Sequence, residues 1–560
     1  MESQQENQNS LFPHFLPATH PHATFEACTT ERSSMNDDIK SAKKKSYSKK
    51  PSKKERLEQE LAQKSAQERV AAGGVHIRAD GVAVSAAAVA ARQAALRAAG
   101  VDVDAVHADV PTKKPRTTRA QAGLSPMVVR IEAASPQGDR LAQCLWNAQC
   151  LLLDVLKFDV AADKLVSRYL REHRELGPRD RHVVAETVFS VLRQKRVFSH
   201  LAQSGGGTLE RRLVLLGARS CTTEAGLQAA IAEDEWTWIS QISTVDTRTL
   251  PAAVRSNLTD EWFAQLTEAY GETDALALAE ALNTAAPLDI RVNTIKSSRE
   301  AVQVALKNAA FDSETCALAP LGLRLKGKPA LQKSDIFTSG AIEVQDEGSQ
   351  LLTHLLGAKR GEMIADFCAG AGGKTLAIGA MMRNTGRLYA FDTAAHRLAK
   401  LKPRLARSGL SNVQAVAIDT ETDTRVKRLY GKLNRVFIDA PCSGLGTLRR
   451  NPDLKWRHGV DSVTRLSGIQ TNILNSAAKL VKVGGTVVYA TCSVLPIENQ
   501  NVVNAFLAAN PNYALVDVTE ALAVQNITLP EGAAPAGMLQ LLPHLHGTDG
   551  FFAACMKRVS

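Results

Sequence analysis

Beyond residue 343 the chain alternates between short apolar runs and helix-forming segments. The runs EMIADFCAG, RLYAFD, NVQAVAID, RVFIDAP and TVVYATCS are separated by KTLAIGAMMR, HRLAKLKPRLARSG and a long stretch from Thr464 to Gly485. Nearly continuous β-branched runs joined by helices predict a parallel sheet covered on both faces. The Gly484-Gly485 pair reads as the stop of the long helix, because glycine commonly follows a helix end. YALVDV and a last pair around LQLLPH and GFFAACMKRV predict an antiparallel closing end. Ligands of such sheets bind beyond the carboxyl ends of the strands. The residues at which the runs stop are therefore the candidates for chemistry: Asp366, Asp392, Asp419, Asp439 and Cys492.

The first run leads into Cys368, Ala369, Gly370, Ala371, Gly372, Gly373 and Lys374. Glycines here permit a tight turn and close backbone approach at a helix start. The nucleotide phosphate-loop template fails, because position 368 is Cys where Gly is required, and the dinucleotide template fails at Thr375. A glycine-rich first turn without either template suits a cofactor that has no pyrophosphate, S-adenosylmethionine. Asp392 lies 20 residues past Gly372, the spacing at which a carboxylate accepts the hydroxyls of a ribose. Asp419, at the third run's end, is placed for the adenine edge.

Cys442 and Cys492 end neighbouring runs of this ligand-facing edge. A thiol beside a sulfonium methyl donor points to one kind of reaction. Carbon 5 of a pyrimidine is a poor nucleophile until a thiolate adds to carbon 6 and makes an enamine. An acid near N3 assists as charge builds there.

The net charge is +11, and it is unevenly spread. Residues 1–125 carry 19 Lys and Arg against 14 Asp and Glu, residues 126–340 carry 25 against 26, and residues 341–560 carry 24 against 17. Two basic ends flanking a neutral middle suggest a polyanionic partner. Residues 1–125, with the Lys/Ser-rich run around residues 40–56, read as a disordered basic tail able to contact RNA phosphates. Its stretch Val82–Ala99 is alanine-rich and reads as helical. From 142 to 270 the pattern is helical, with Val184, Val188, Val191 and Leu192 on one face. From 287 to 340, PLDIRVNTIK and the segments after it read as a small α+β insert. The basic cluster Arg449, Arg450, Lys455, Trp456 and Arg457 reads as a loop that holds phosphates and stacks a base. No apolar run approaches the roughly 18 residues of a membrane span, and MESQQENQNS is not a secretory leader. The nine cysteines form no CxxC pair, so neither a zinc site nor a disulfide scaffold is expected. A cytoplasmic monomer without metal is the expectation.

GEMIADFCAGAGGKT, VFIDAPCSGLGTLRRNPDLKWR and VVYATCSVLPIENQNVV resemble the signatures of the RsmB/Nop2/Sun family of RNA cytosine-5 methyltransferases. VQDEGSQL, RVNTIK and DGFFAACMKR resemble further blocks of that family, and the likeness runs from about Pro287 to Arg558. YLREHRELGPRDRHVVAETVFSVLRQKR resembles the NusB-like helical domain of the family's bacterial 16S rRNA member. The resemblance implies four parts: the tail at 1–125, a NusB-like RNA-binding domain at 138–275, an α+β RNA-binding subdomain at 276–340 and a Rossmann-like S-adenosylmethionine-dependent catalytic domain at 341–560. It implies Cys492 as the nucleophile and Cys442 as the residue assisting release of methylated RNA. It implies Asp439 at the base and the methionine end of the cofactor, and Lys374 as electrostatic support. Cys368 to Lys374 would form the cofactor loop, with Asp392 at the ribose and Asp419 near adenine. The implied substrate is 16S rRNA. A tRNA substrate, or a non-catalytic RNA-binding role in ribosome assembly, are the alternatives.

Overall fold

The computed structural model describes residues 139–560 together with two short antiparallel strands, Val75–Ile77 and Ala83–Ser85. The start of the alanine-rich stretch is thus strand rather than helix, in keeping with its alternating valines. The rest of the expected tail lies outside the described residues.

Seven helices between residues 140 and 243 lead, with α1 (Arg140–Val155), α2 (Pro178–Arg193) and α3 (Leu209–Ala218) packed at their centre. Leu145, Leu152, Val184, Val188, Val191 and Leu213 form their shared core. The stripe expected on α2 is fully buried. Gly217 lets α3 approach closely, since a Cβ there would meet the carbonyl oxygen of Thr187 at 2.7 Å. A further helix, α4 (Glu272–Leu282), joins a different core. Its Ala275, Leu278 and Leu282 pack with Leu445, Leu448, Val494 and Leu495, which lie just beyond the strand ends of the main sheet.

A four-stranded antiparallel sheet follows, built from β1 (Leu288–Val292), β2 (Ser313–Thr315), β3 (Gly322–Leu325) and β4 (Ile342–Val344) in the order β2-β3-β1-β4. Helix α5 (Arg299–Asn308) covers it with Val302 and Leu306. Two expected boundaries need correction. The cut between 275 and 276 falls inside α4, a continuous helix, and the cut between 340 and 341 would strip the small sheet of β4. The first cut falls where the helical pattern is uninterrupted, and the second falls at a turn, Gly340 at φ +79°, that leads into the small sheet's own edge strand.

The main sheet has eight strands: β5 (Met363–Asp366), β6 (Arg387–Asp392), β7 (Val413–Ala417), β8 (Leu433–Asp439), β9 (Val481–Thr491), β10 (Tyr513–Val516), β11 (Leu539–Leu541) and β12 (Phe551–Arg558). Their order is β10-β12-β9-β8-β5-β6-β7, with β11 also on β12. The ladders from β9 to β7 are parallel, and those involving β12 are antiparallel. Both faces are buried, as the unbroken apolar runs predict. Val436, Ile438, Val487 and Tyr489 face one core with α8 (Asp461–Ala478) and α9 (Gln500–Ala509). Ile364, Phe437, Val488 and Ala490 face the other, under α6 (Glu347–Leu355) and α7 (Gly373–Met381).

The long helix differs from expectation at its end. α8 stops at Ala478, and Gly484 and Gly485 lie inside β9. The β8–β9 register shifts there, and Gly484 takes φ +79°. The glycines serve a bulge in the strand, a role that local pattern does not distinguish from a helix stop. Among the described residues no helix is long and apolar enough to cross a membrane.

Candidate active site

The carboxyl ends of β5, β6, β8 and β9 meet around a cavity of about 440 Å³, whose lining includes Cys368, Asp392, Asp439, Cys442 and Cys492. Two of these ends carry the thiols. Asp439 pairs in register with Ala490, so the turns that begin at Pro441 and Cys492 leave adjacent strands side by side. Both cysteines are unoxidised, with their sulfurs 3.3 Å apart. The hydrogen bond with Cys492, followed by burial, pushes the Cys442 thiol well above its usual range. Cys442 therefore keeps its proton, and either sulfur can be the donor when both are thiols.

Of the glycine loop only Cys368 lines the cavity; Ala369 to Lys374 stand behind that lining. Gly370 and Gly372 both have positive φ, +55° and +85°. A Cβ on Gly372 would run into Leu401, so this turn accepts only glycine without rearrangement. The Asp392 carboxylate shapes the loop from across β6. One oxygen accepts the Gly370 N–H at 2.7 Å and the other accepts the Ala394 N–H at 2.7 Å. Lys374, on the first turn of α7, donates to Asp439 at 2.8 Å. Burial alone would lower the Lys374 ammonium, but the charge and hydrogen bond of Asp439, and in smaller part Cys492, hold it above its usual value. A fixed positive charge thus stands beside the thiol pair. Burial, then the nearby carboxylates of Asp366, Asp439 and Asp392, keep Cys368 a neutral thiol.

Asp419 and the five residues of the basic run are placed differently from expectation. Asp419 lies two residues past the end of β7, its side chain 95% exposed. Ile418 and Glu421, on either side of it, line the cavity instead. The basic run after Cys442 is taken up inside the protein rather than offered as an RNA surface. Arg449 donates to the carbonyls of Gly547 and Thr548 at 3.0 Å each. Arg450 bonds the carboxylates of Asp549 and Asp346 at 2.5 and 2.8 Å. Lys455 is fully buried and donates to the Arg193 carbonyl at 2.9 Å and to Asn283. Burial, reinforced by Arg193 and Lys195, drives its ammonium well below the usual lysine range. Trp456 donates to the Leu192 carbonyl at 3.2 Å, and Arg457 to Asp453 at 3.3 Å. This run fastens the end of α2 to the catalytic sheet. Its composition matches an RNA-binding loop because buried carboxylates and carbonyls recruit the same cations as phosphates do.

Of two further carboxylates, Asp366 was a strand-end candidate without a role, and Glu498 was passed over. Asp366 is fully buried, accepts from Thr375 Oγ1 at 2.6 Å and leaves its other oxygen without a partner. Burial pushes its carboxyl up to about 7 against that hydrogen bond. Glu498 lies behind the two cysteine turns, and the serine that follows each cysteine was the available signal. Elsewhere, Asp289, Cys316 and Glu347 bring metal-ligand atoms within 4.8 Å of one another. The Arg324 guanidinium already bonds both carboxylates there, at 2.7 and 3.2 Å.

Comparison with known proteins gives a consistent picture. The family described as 16S rRNA methyltransferase RsmB/F matches residues 353–557. The ferredoxin-like domain of RsmF/B-like methyltransferases matches residues 260–332. A probable ribosomal RNA small subunit methyltransferase B of Synechocystis sp. is 33% identical over 450 residues, covering 73% of this chain and 98% of its own. A protein of the same description from Bacillus subtilis is 35% identical over 272 residues, 48% of this chain and 59% of its own. The solved structure of PH0851 superposes with a TM-score of 0.61 at 23% identity, covering 75% of this chain and 99% of its own, which establishes a shared fold.

Proposed function

The chain belongs to the RsmB/Nop2/Sun family, and from that membership we propose that it methylates carbon 5 of a cytosine in 16S rRNA through a covalent cysteine adduct. The thiol pair, 3.3 Å apart in the lining of the cavity that Cys368 and Asp392 also line, is the observation that supports this reading. RNA methylation with S-adenosylmethionine follows from the family. The cytosine, its carbon 5 and the adduct rest on the chemistry of the thiols.

The lining fits S-adenosylmethionine by its donor set. Asp392 faces the cavity for ribose hydroxyls, Ile418, Ile469 and Ile473 offer apolar surface for adenine, and Asp439 with Lys374 offers partners for the methionine end. The volume lies within the usual range of small-molecule sites, roughly 300–1,000 Å³. Bound there, the cofactor supplies a methyl group on a sulfonium.

Cys492 is the nucleophile in this scheme. Its thiolate adds to carbon 6 of the base while the Lys374–Asp439 pair supplies the proton that N3 takes up. Carbon 5, now an enamine carbon, takes the methyl group. Cys442, at 3.3 Å, gives its proton to the leaving Cys492 sulfur, the Cys442 thiolate so formed takes the carbon-5 proton as the carbon 5–carbon 6 double bond returns, and the N3 proton goes back to the Lys374–Asp439 pair. Helices α1 to α3 and the small sheet are the surfaces assigned to the rest of the RNA.

Site-resolved bisulfite mapping of RNA from cells with and without the protein tests the substrate. One 16S rRNA cytosine is expected to lose its methyl group. Loss confined to tRNA would move the assignment there, and unchanged cytosine methylation throughout would overturn it. Gly372→Ala tests the loop. It places a Cβ against Leu401 at φ +85°, and a left-handed non-glycine residue costs roughly 1–2 kcal/mol. Calorimetry should show S-adenosylmethionine affinity reduced about tenfold or more, and the strain should lower the melting temperature of the protein by about a few degrees.

A further inference from the structure

Glu498 is fully buried in a short 3₁₀ turn, Pro496–Glu498, just before α9. Its carboxylate accepts four hydrogen bonds. One oxygen takes the Ser443 N–H at 2.8 Å and the Gln470 amide at 3.1 Å. The other takes the hydroxyls of Ser443 at 2.6 Å and Ser493 at 2.5 Å. All four donors are neutral. A buried carboxylate is tolerated only when its lone pairs are filled in this way. The serines are the residues that directly follow Cys442 and Cys492, and their hydroxyls lie 3.3 Å apart. Neighbouring bonds stiffen the same joint. Gln470 also donates to the Pro441 carbonyl at 2.9 Å, Asn499 donates to the Ser493 carbonyl at 3.0 Å, and the Tyr489 hydroxyl donates to the Glu498 carbonyl at 2.7 Å.

We propose that Glu498 is the positioning residue of the cysteine pair: its carboxylate clasps the serines after Cys442 and Cys492 and so sets the separation of the two thiols. The inference rests on the reading in which both cysteines act on the RNA base. Without the clasp each turn keeps its strand but is free to shift against the other. A displacement near 1 Å at reacting atoms costs about 100-fold in rate. Glu498 also adds negative charge beside Cys442, after the Cys492 hydrogen bond and burial a further influence that keeps its proton in place.

The test uses the full chain with 16S rRNA and S-adenosylmethionine, and reads kcat, KM, cofactor binding and the covalent protein–RNA species on denaturing gels. Glu498→Ala is expected to lower kcat about 100-fold with KM and cofactor affinity within about threefold of the parent, and to leave more RNA covalently bound per turnover. Glu498→Gln keeps an acceptor for Ser443 and Gln470 and an amide that either serine hydroxyl can accept. It is expected to restore kcat to within about tenfold of the parent. Should Glu498→Ala fail to fold, the double change Ser443→Ala with Ser493→Ala removes the two hydroxyl bonds and keeps the carboxylate, and a lowered kcat with intact cofactor binding is expected. Parental kcat in Glu498→Ala, or in the double serine variant, would overturn the proposal. So would equal loss of kcat and cofactor binding in Glu498→Ala and Glu498→Gln, which would make the carboxylate a fold support alone. A parent protein that forms no Cys492-dependent adduct would overturn the cysteine reading itself and the clasp with it. An adduct in the parent alongside an unaffected Glu498→Ala would remove the clasp only.

Discussion

Cys492→Ala is expected to abolish methyl transfer to RNA, by at least about 10³-fold, while S-adenosylmethionine still binds. Carbon 5 of cytosine does not attack a sulfonium unless carbon 6 is first saturated, and no other group in the cavity substitutes for that sulfur. Cys442 is nearest, but its thiol is pushed well above its usual range by the Cys492 hydrogen bond and burial. The glycine loop is held by Asp392 and the positive-φ glycines, none of which the substitution touches. Single-turnover transfer of a labelled methyl group, alongside calorimetric cofactor binding, measures both halves. The covalent RNA species expected with the parent should be missing in the same variant. Parental activity would assign the nucleophile elsewhere.

Cys442→Ala is expected to do the opposite to the covalent species. Methylation proceeds once, and protein remains attached to RNA through a denaturing gel, at a fraction near one equivalent. In the proposed scheme the adduct forms at Cys492, which is untouched. Its breakdown needs a proton at the leaving sulfur and a group that takes part in removing the carbon-5 proton. Cys442 stands 3.3 Å from that sulfur and holds a proton there. Turnover should fall by about 100-fold or more, in line with the loss of a positioned acid–base group. Clean release of methylated RNA by this variant would remove Cys442 from the release step. The double variant Cys442→Ala with Cys492→Ala should form no adduct, which places the trapped bond on Cys492.

Much of the site was legible because of how parallel sheets are made. Every strand of such a sheet ends on the same edge, so polar residues at successive strand ends are neighbours by topology alone. Asp392, Asp439, Cys442 and Cys492 are read this way and line one cavity. Local order also carries the glycine loop, because its backbone needs positive φ at Gly370 and Gly372. The basic run from Arg449 to Arg457 was misread for the complementary reason. A cation's neighbours in sequence do not reveal whether a phosphate or an internal carboxylate will meet it. Asp346 and Asp549 lie 104 and 99 residues from Arg450, and the carbonyl that receives Lys455 is 262 residues away. Asp419 fails differently. Being at a strand end brings a residue to the right edge, but a turn of two residues was enough to aim its side chain outward.

By itself the sequence determined the α/β alternation, the two cysteines and the carboxylates at one sheet edge, and the glycine loop, all properties of local period and backbone freedom. Only the tertiary structure decided which of them touch. It paired Lys374 with Asp439, set the thiols 3.3 Å apart, drew the basic run inward and placed Glu498 behind both cysteine turns. Contacts between distant segments depend on strand order and side-chain packing, and neither is written in the spacing of residues along the chain.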